Sequence, residues 1–127
     1  MPHAYEYAAV RVVPRVERAE FVNAGVLLHC RGLDFLAARV RLDEAPVLAL
    51  ASDTDLDAVR RELDAYARVC GGGEQGAAGL ASPSERFRWL VAPRSTVVQP
   101  SPVHTGLTED PEAELDRLFA TLVPARR

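Results

Sequence analysis

The order of patterned segments constrains this chain more than any single motif does. Three β-like runs follow one another with no helix between them, so the regular strand-helix-strand alternation of a parallel sheet is absent. Residues 5–13 (YEYAAVRVV) are β-branched and aromatic, stop at Pro14, and hold Arg11 as an oddity in an inner strand. A short polar link leads to Phe21–Cys30, where Val22, Val26, Leu28 and Cys30 alternate against Asn23, Gly25, Leu27 and His29. Arg31-Gly32-Leu33-Asp34 reads as a hairpin turn. Beyond it, in Phe35–Leu42, Leu36, Ala38, Val40 and Leu42 alternate with Phe35, Ala37, Arg39 and Arg41, the period of a sheet with one buried face.

The pattern then changes period. From Thr54 to Cys70, Leu56, Val59, Leu63, Tyr66, Ala67 and Cys70 form a helical stripe, with Thr54 and Asp57 able to cap its start. Residues 71–82 (GGGEQGAAGLAS) are glycine-rich and read as a mobile loop. Ser84–Val91 is assigned as a short helix, and STVVQPSPVHTG as extended chain because Pro100 and Pro102 forbid helix. Asp110-Pro111 starts a last helix carried by Leu115, Leu118, Phe119 and Leu122. The expected architecture is α+β: a small antiparallel sheet with helices packed on one face, residues 1–127 forming a single domain.

Composition removes chemistry. All 15 basic residues are arginine, which excludes a Walker-A loop, a Schiff-base enzyme and any lysine-dependent nuclease site. The sequence has no GxSxG elbow, HExxH or GxGxxG, and its scattered histidines (His3, His29, His104) and cysteines (Cys30, Cys70) suit no metal centre and no evident disulfide. No cofactor motif is present. The N-terminus lacks a secretory pattern, and no run is long enough to span a membrane, so a soluble, cytoplasmic protein is expected. Charge segregates: residues 11–41 carry +3 and residues 42–67 carry −5, so a basic sheet would lie against acidic helices.

One segment concentrates polar chemistry. Residues 86–106 hold Arg86, Arg88, Trp89, Arg94, Ser95, Thr96, Gln99, Ser101 and His104. Guanidinium groups bind carboxylate or phosphate in pairs of hydrogen bonds, hydroxyls add neutral ones, and imidazole exchanges protons near neutral pH. Arg11, Asn23, His29, Arg39 and Arg41 could extend such an anion site from the non-core face of the sheet. The opposing reading makes Phe87, Trp89 and Leu90 core and pairs the arginines with nearby carboxylates. Glu17, Arg18 and Glu20 are read as capping and salt-bridging residues.

Two stretches carry a resemblance: YAAVRVVPRVERAEFVNAGVLLHC, and RFRWLVAPRSTVVQPSPVHTG with the subsequent DPEAELDRLF. Together they resemble the bacterial DUF 3037 family over nearly the whole chain, through Arg11, Pro14, Arg15, Glu17, Phe21, Asn23, Gly25, Arg86, Phe87, Trp89, Pro93, Arg94, Ser95, Gln99, Ser101, Pro102 and His104. Ala24 and His29 depart from the family pattern. The family has no assigned reaction, and its genes often lie beside one for a HipA-like kinase. The resemblance thus implies a partner or regulator of such a kinase. The leading expectation is a small accessory or binding protein that holds an anionic ligand, a nucleotide or a partner through Arg11, Asn23, Arg86, Trp89, Arg94, Ser95, Gln99, Ser101 and His104. The alternative is a hydrolase or nuclease, with His104 as general acid or base and Arg86 and Arg94 stabilising an oxyanion. A homo-oligomer is left open, and nucleic acid is the less favoured ligand.

Overall fold

Alternation along the first strand, β1 (His3–Val12), sends Ala8, Val10 and Val12 to one side of the sheet and Tyr5 and Tyr7 to the other, and apolar partners wait on both sides. A computed structural model describes residues 1–71 and 81–124. β1 lies between two neighbours, β2 (Val22–Cys30) and a pair of short strands, β4 (Val98–Pro100) and β5 (His104–Thr108), with β3 (Phe35–Val40) outside β2. All pairings are antiparallel. Four α-helices complete the described residues: α1 (Glu44–Leu50), α2 (Leu56–Cys70), α3 (Pro83–Leu90) and α4 (Pro111–Leu122). The α+β class and the single small domain are as expected. Most of the predicted loop over residues 71–82 lies outside the described residues.

The helices do not share one face. Val59, Leu63 and Tyr66 of α2 and Phe87 and Leu90 of α3 pack on Ala8, Val10, Val12 and Leu27, while Leu115 and Leu118 of α4 pack on Tyr5, Val26, Leu28 and Cys30. Burial in β2 gives the reason: every residue from Ala24 to Cys30 is buried, which a strand with one wet face cannot achieve. The sheet is a middle layer. Tyr5 secures the α4 side by donating its hydroxyl proton to the Glu114 carboxylate.

Two irregularities in the sheet set the layout of its polar residues. The first is a bulge in β2: Val10 pairs with Gly25 but Arg11 pairs with Asn23, leaving Ala24 surplus. Strand parity flips there, so Val22 and Ala24 face α2 and α3 while Val26, Leu28 and Cys30 face α4; Val22 therefore does not join the others as its alternation suggested. The second is the break between β4 and β5. These strands pair with different halves of β1, Val10–Val12 and His3–Tyr7. At the break the Ser101 amide donates to the Ala9 carbonyl (2.8 Å), and the Ala9 amide donates to Ser101 Oγ (2.8 Å). A side-chain oxygen thus replaces a ladder carbonyl where Pro102 interrupts the strand.

Capping agrees with the sequence signals with one change. Asp110 and Ser82 accept from Ala113 and Glu85 as N-caps of α4 and α3, each succeeded by a first-position proline. For α2 the cap is Asp55, accepting from Ala58, whereas Thr54 donates back to the Ala51 carbonyl.

Candidate functional site

Register across three strands sets one polar row side by side. Arg11 of β1 stands opposite Asn23 of β2 and opposite Gln99 of β4, and a little further along Tyr7 stands opposite His104 of β5. Directly paired residues project to the same face. Here that is the α4 face, at the end of the helix: Asn23 Nδ2 donates to the Leu122 carbonyl at 3.2 Å. The bulge at Ala24 is what brings Asn23 beside Arg11.

Arg11 sits between two recesses. One, of about 260 Å³, includes Val13, Val16, Phe21, Ser95 and Gln99 in its wall; the other, of about 110 Å³, includes Tyr7, Asn23, Ser101 and His104. Neither is lined by a carboxylate. The guanidinium lies 4.0 Å from the centroid of the Phe21 ring, a cation–π seat on a side chain that is itself 45% exposed. Arg11 Nε and Asn23 Oδ1 are buried with no hydrogen-bond partner. The exposed His104 lies against Tyr7 with ring centroids 5.3 Å apart and the rings tilted by 34°. Ser101 is engaged in the sheet break, and Gln99 Nε2 donates to the Thr96 carbonyl at 2.6 Å, leaving its amide oxygen for another donor.

Six of the nine predicted ligand-binding residues thus gather here: Arg11, Asn23, Ser95, Gln99, Ser101 and His104. Arg86, Trp89 and Arg94 do not. Arg86 donates to the carbonyls of Ala81 (2.5 Å) and Cys70 (3.3 Å), closing the end of α2. Arg94 donates to the Trp89 carbonyl (2.9 Å) at the end of α3. Arg39 pairs with Glu112 and Asp116 of α4, and Arg41 stacks on Phe119 and donates to the Val123 carbonyl. Among the described residues Arg11 is the partly buried arginine with neither a carboxylate nor a carbonyl acceptor. Tyr7 and Phe21, which build its walls, were not among the predicted ligand-binding residues: Tyr7 reads as an ordinary strand residue, and Phe21 entered only through the resemblance.

A second polar group lies on the opposite face. His29 is 4% exposed and stacks on Phe87 with centroids 5.1 Å apart; Ser84 Oγ is 3.2 Å from its Nε2 and Glu6 Oε1 is 3.8 Å from its Nδ1. The order hydroxyl, imidazole, carboxylate resembles a hydrolytic relay. However, Glu6 is beyond hydrogen-bond range of the ring and is held by Arg88 at 2.5 Å, so the acid does not orient the base. Burial, the largest influence, pushes the His29 pKa below its usual 6.5, with Glu6 opposing and Arg88 and Arg31 assisting. The unfolded chain therefore takes up this proton first as pH falls. Stability present above pH 6.5 is lost as pH drops through the lowered folded value. Thermal melts between about pH 7 and 5 should show this decline, and His29→Leu should flatten it; equal slopes in the two proteins would assign the effect to other groups.

A family model described as "Protein of unknown function (DUF3037)" matches residues 7–123. The chain belongs to the DUF3037 family. No curated protein and no solved structure matches it. Within this DUF3037 domain the residues that carried the resemblance divide by role. Arg11, Phe21, Asn23, Ser95, Gln99, Ser101 and His104 border the recesses, whereas Arg86 and Arg94 close helix ends and Arg15 pairs with Asp53 at 3.1 Å. His29, one of the two departures from the pattern, is on the far side of the sheet from Arg11.

Proposed function

We propose that this protein is a binding or accessory protein that holds a carboxylate or phosphate group against Arg11. The observation that carries the reading is Arg11 itself: a permanent cation, partly withdrawn from water, seated on Phe21, with no acceptor among the described residues. Withdrawing a charge from solvent is costly unless an opposite charge or acceptor meets it. An anion entering either recess meets the guanidinium with no carboxylate in the wall to repel it, and finds Ser95 and His104 as further hydrogen-bonding groups.

The family resemblance suggests the partner class, a HipA-like kinase in the cytoplasm, with Arg11 contacting a carboxylate or phosphoryl group on it. Binding is preferred over hydrolysis because the hydrolytic reading requires Arg86 and Arg94 beside His104, and neither lines the recess that His104 borders: Arg86 reaches the Cys70 carbonyl and Arg94 the Trp89 carbonyl instead. Titration of the ¹⁵N-labelled protein with phosphate and with acetate tests the site, tracking the Asn23 side-chain amide, which borders the recess and is kept in an Arg11→Met variant. A saturable shift is expected with at least one anion, weakened about tenfold by Arg11→Met and reduced by added salt. No saturable shift with either would overturn the reading. Co-elution with the kinase should likewise fall with Arg11→Met and with moderate salt.

A further inference from the structure

On the other side of the sheet, α2 and α3 leave a groove of about 230 Å³ between them, walled by Tyr66, Val69, Trp89, Leu90, Arg94 and Val98. Three features of it have no internal explanation. Tyr66 is 4% exposed, yet its hydroxyl has no hydrogen-bond partner among the described residues. Trp89 is 54% exposed, although it sits on a helix whose Phe87 and Leu90 are core. The Arg94 guanidinium is placed 5.7 Å from the Tyr66 ring centroid and 5.8 Å from that of Trp89, between two aromatic faces. Its Nη2 and Nε serve carbonyls of α3 and the residues after it, and Nη1 serves none among the described residues.

We infer that this groove binds a small aromatic monocarboxylate, with the ring against Trp89 and the carboxylate held between Arg94 and the Tyr66 hydroxyl. Each unexplained feature then has a use. Buried hydroxyls in folded proteins find partners, and a carboxylate oxygen supplies one to Tyr66. Burial pushes the Tyr66 pKa up, so the hydroxyl keeps the proton it would donate. Arg94 Nη1 supplies the charge-assisted bond. The indole offers a flat apolar wall, with Val69, Leu90 and Val98 completing it. Size limits the occupant: sites for drug-sized ligands run to roughly 300–1,000 Å³, and the smaller groove suits about one ring with a short side chain. Glu62 also lines the groove and opposes negative charge in it, so one carboxylate, met by Arg94, is the most it accommodates. This site is separate from the Arg11 recesses and stands or falls without them.

Trp89 is the one tryptophan of the chain, so its emission reports the groove directly. Phenylacetate should change that emission saturably, and the uncharged 2-phenylethanol should bind about tenfold more weakly. Tyr66→Phe should leave the melting temperature of the free protein unchanged or raised, because an unpartnered hydroxyl contributes nothing in the free state, and should weaken phenylacetate about tenfold. Arg11→Met should leave the titration as it is, which distinguishes this groove from the anion site. No saturable response to millimolar phenylacetate would overturn the inference. Equal affinity for acid and alcohol, or a Tyr66→Phe protein that melts lower and binds as tightly, would also do so.

Discussion

Replacing Phe87 by alanine should cost about 3–5 kcal/mol of unfolding free energy, a large share of the roughly 5–15 kcal/mol typical of a folded domain. The side chain has no exposed surface and stands where α3 meets β1 and β2, among Ala8, Val10, Leu27 and Leu90. Truncation removes the transfer free energy of the ring and leaves a cavity that rigid strands on one side cannot fill. The loss extends to His29, whose ring stacks on Phe87. With that apolar cover gone, water reaches the imidazole, and the pH dependence between about pH 7 and 5 should flatten along with the drop in stability. Urea unfolding at about pH 7 and about pH 5.5 measures both effects. A loss below about 1 kcal/mol would mean that α3 does not pack on the sheet through this ring.

Gly25→Ala is expected to be the second most damaging change, about 1–3 kcal/mol or more. A Cβ at this position would lie 2.8 Å from the Arg39 carbonyl oxygen and 2.9 Å from Val40 Cγ1, so β2 and β3 would have to separate. Arg39 O is backbone in a paired strand and cannot swing aside. Gly25 also adjoins the surplus residue Ala24, and moving it disturbs the register that sets Asn23 beside Arg11. The substitution should therefore lower anion affinity as well as the melting temperature. Gly71→Ala is the control: among the described residues its Cβ would meet nothing closer than the Arg68 carbonyl at 3.5 Å, and its φ of −69° suits alanine. Equal melting temperatures for the two variants would refute the close approach at Gly25.

Most of the elements were legible because their patterns are local. The stripe Leu56, Val59, Leu63, Tyr66 can form one helix face only, and Asp110-Pro111 is a start signal that needs no tertiary context. Helix α1 escaped notice because it has seven residues, a proline in its first turn and Val47 alone fully buried, too little for a periodic stripe. The bulge at Ala24 was illegible for another reason: one surplus residue leaves composition unchanged and reveals itself only through the partner strand. In the candidate site, Arg11 stood out as a cation in an apolar strand, and it lies between the two recesses. Arg86 and Arg94, in a segment rich in arginine, carry no comparable sign of the roles they take. Arg86 reaches the Cys70 carbonyl across sixteen residues, a contact that no spacing encodes, whereas Arg94 turns back five residues to the Trp89 carbonyl once the chain leaves its helix.

The interruption at Ser101-Pro102 also bears on how the molecule behaves in company. An unbroken strand over residues 98–108 would present a long row of free amides and carbonyls along the outer side of the sheet, a template on which another chain could add. Instead that border offers three residues and then five, with Pro100 and Pro102 contributing no amide hydrogen. The serine that repairs the ladder toward β1 thereby allows a break that shortens the border facing solvent, and this edge of the sheet is guarded against growth by edge-to-edge association.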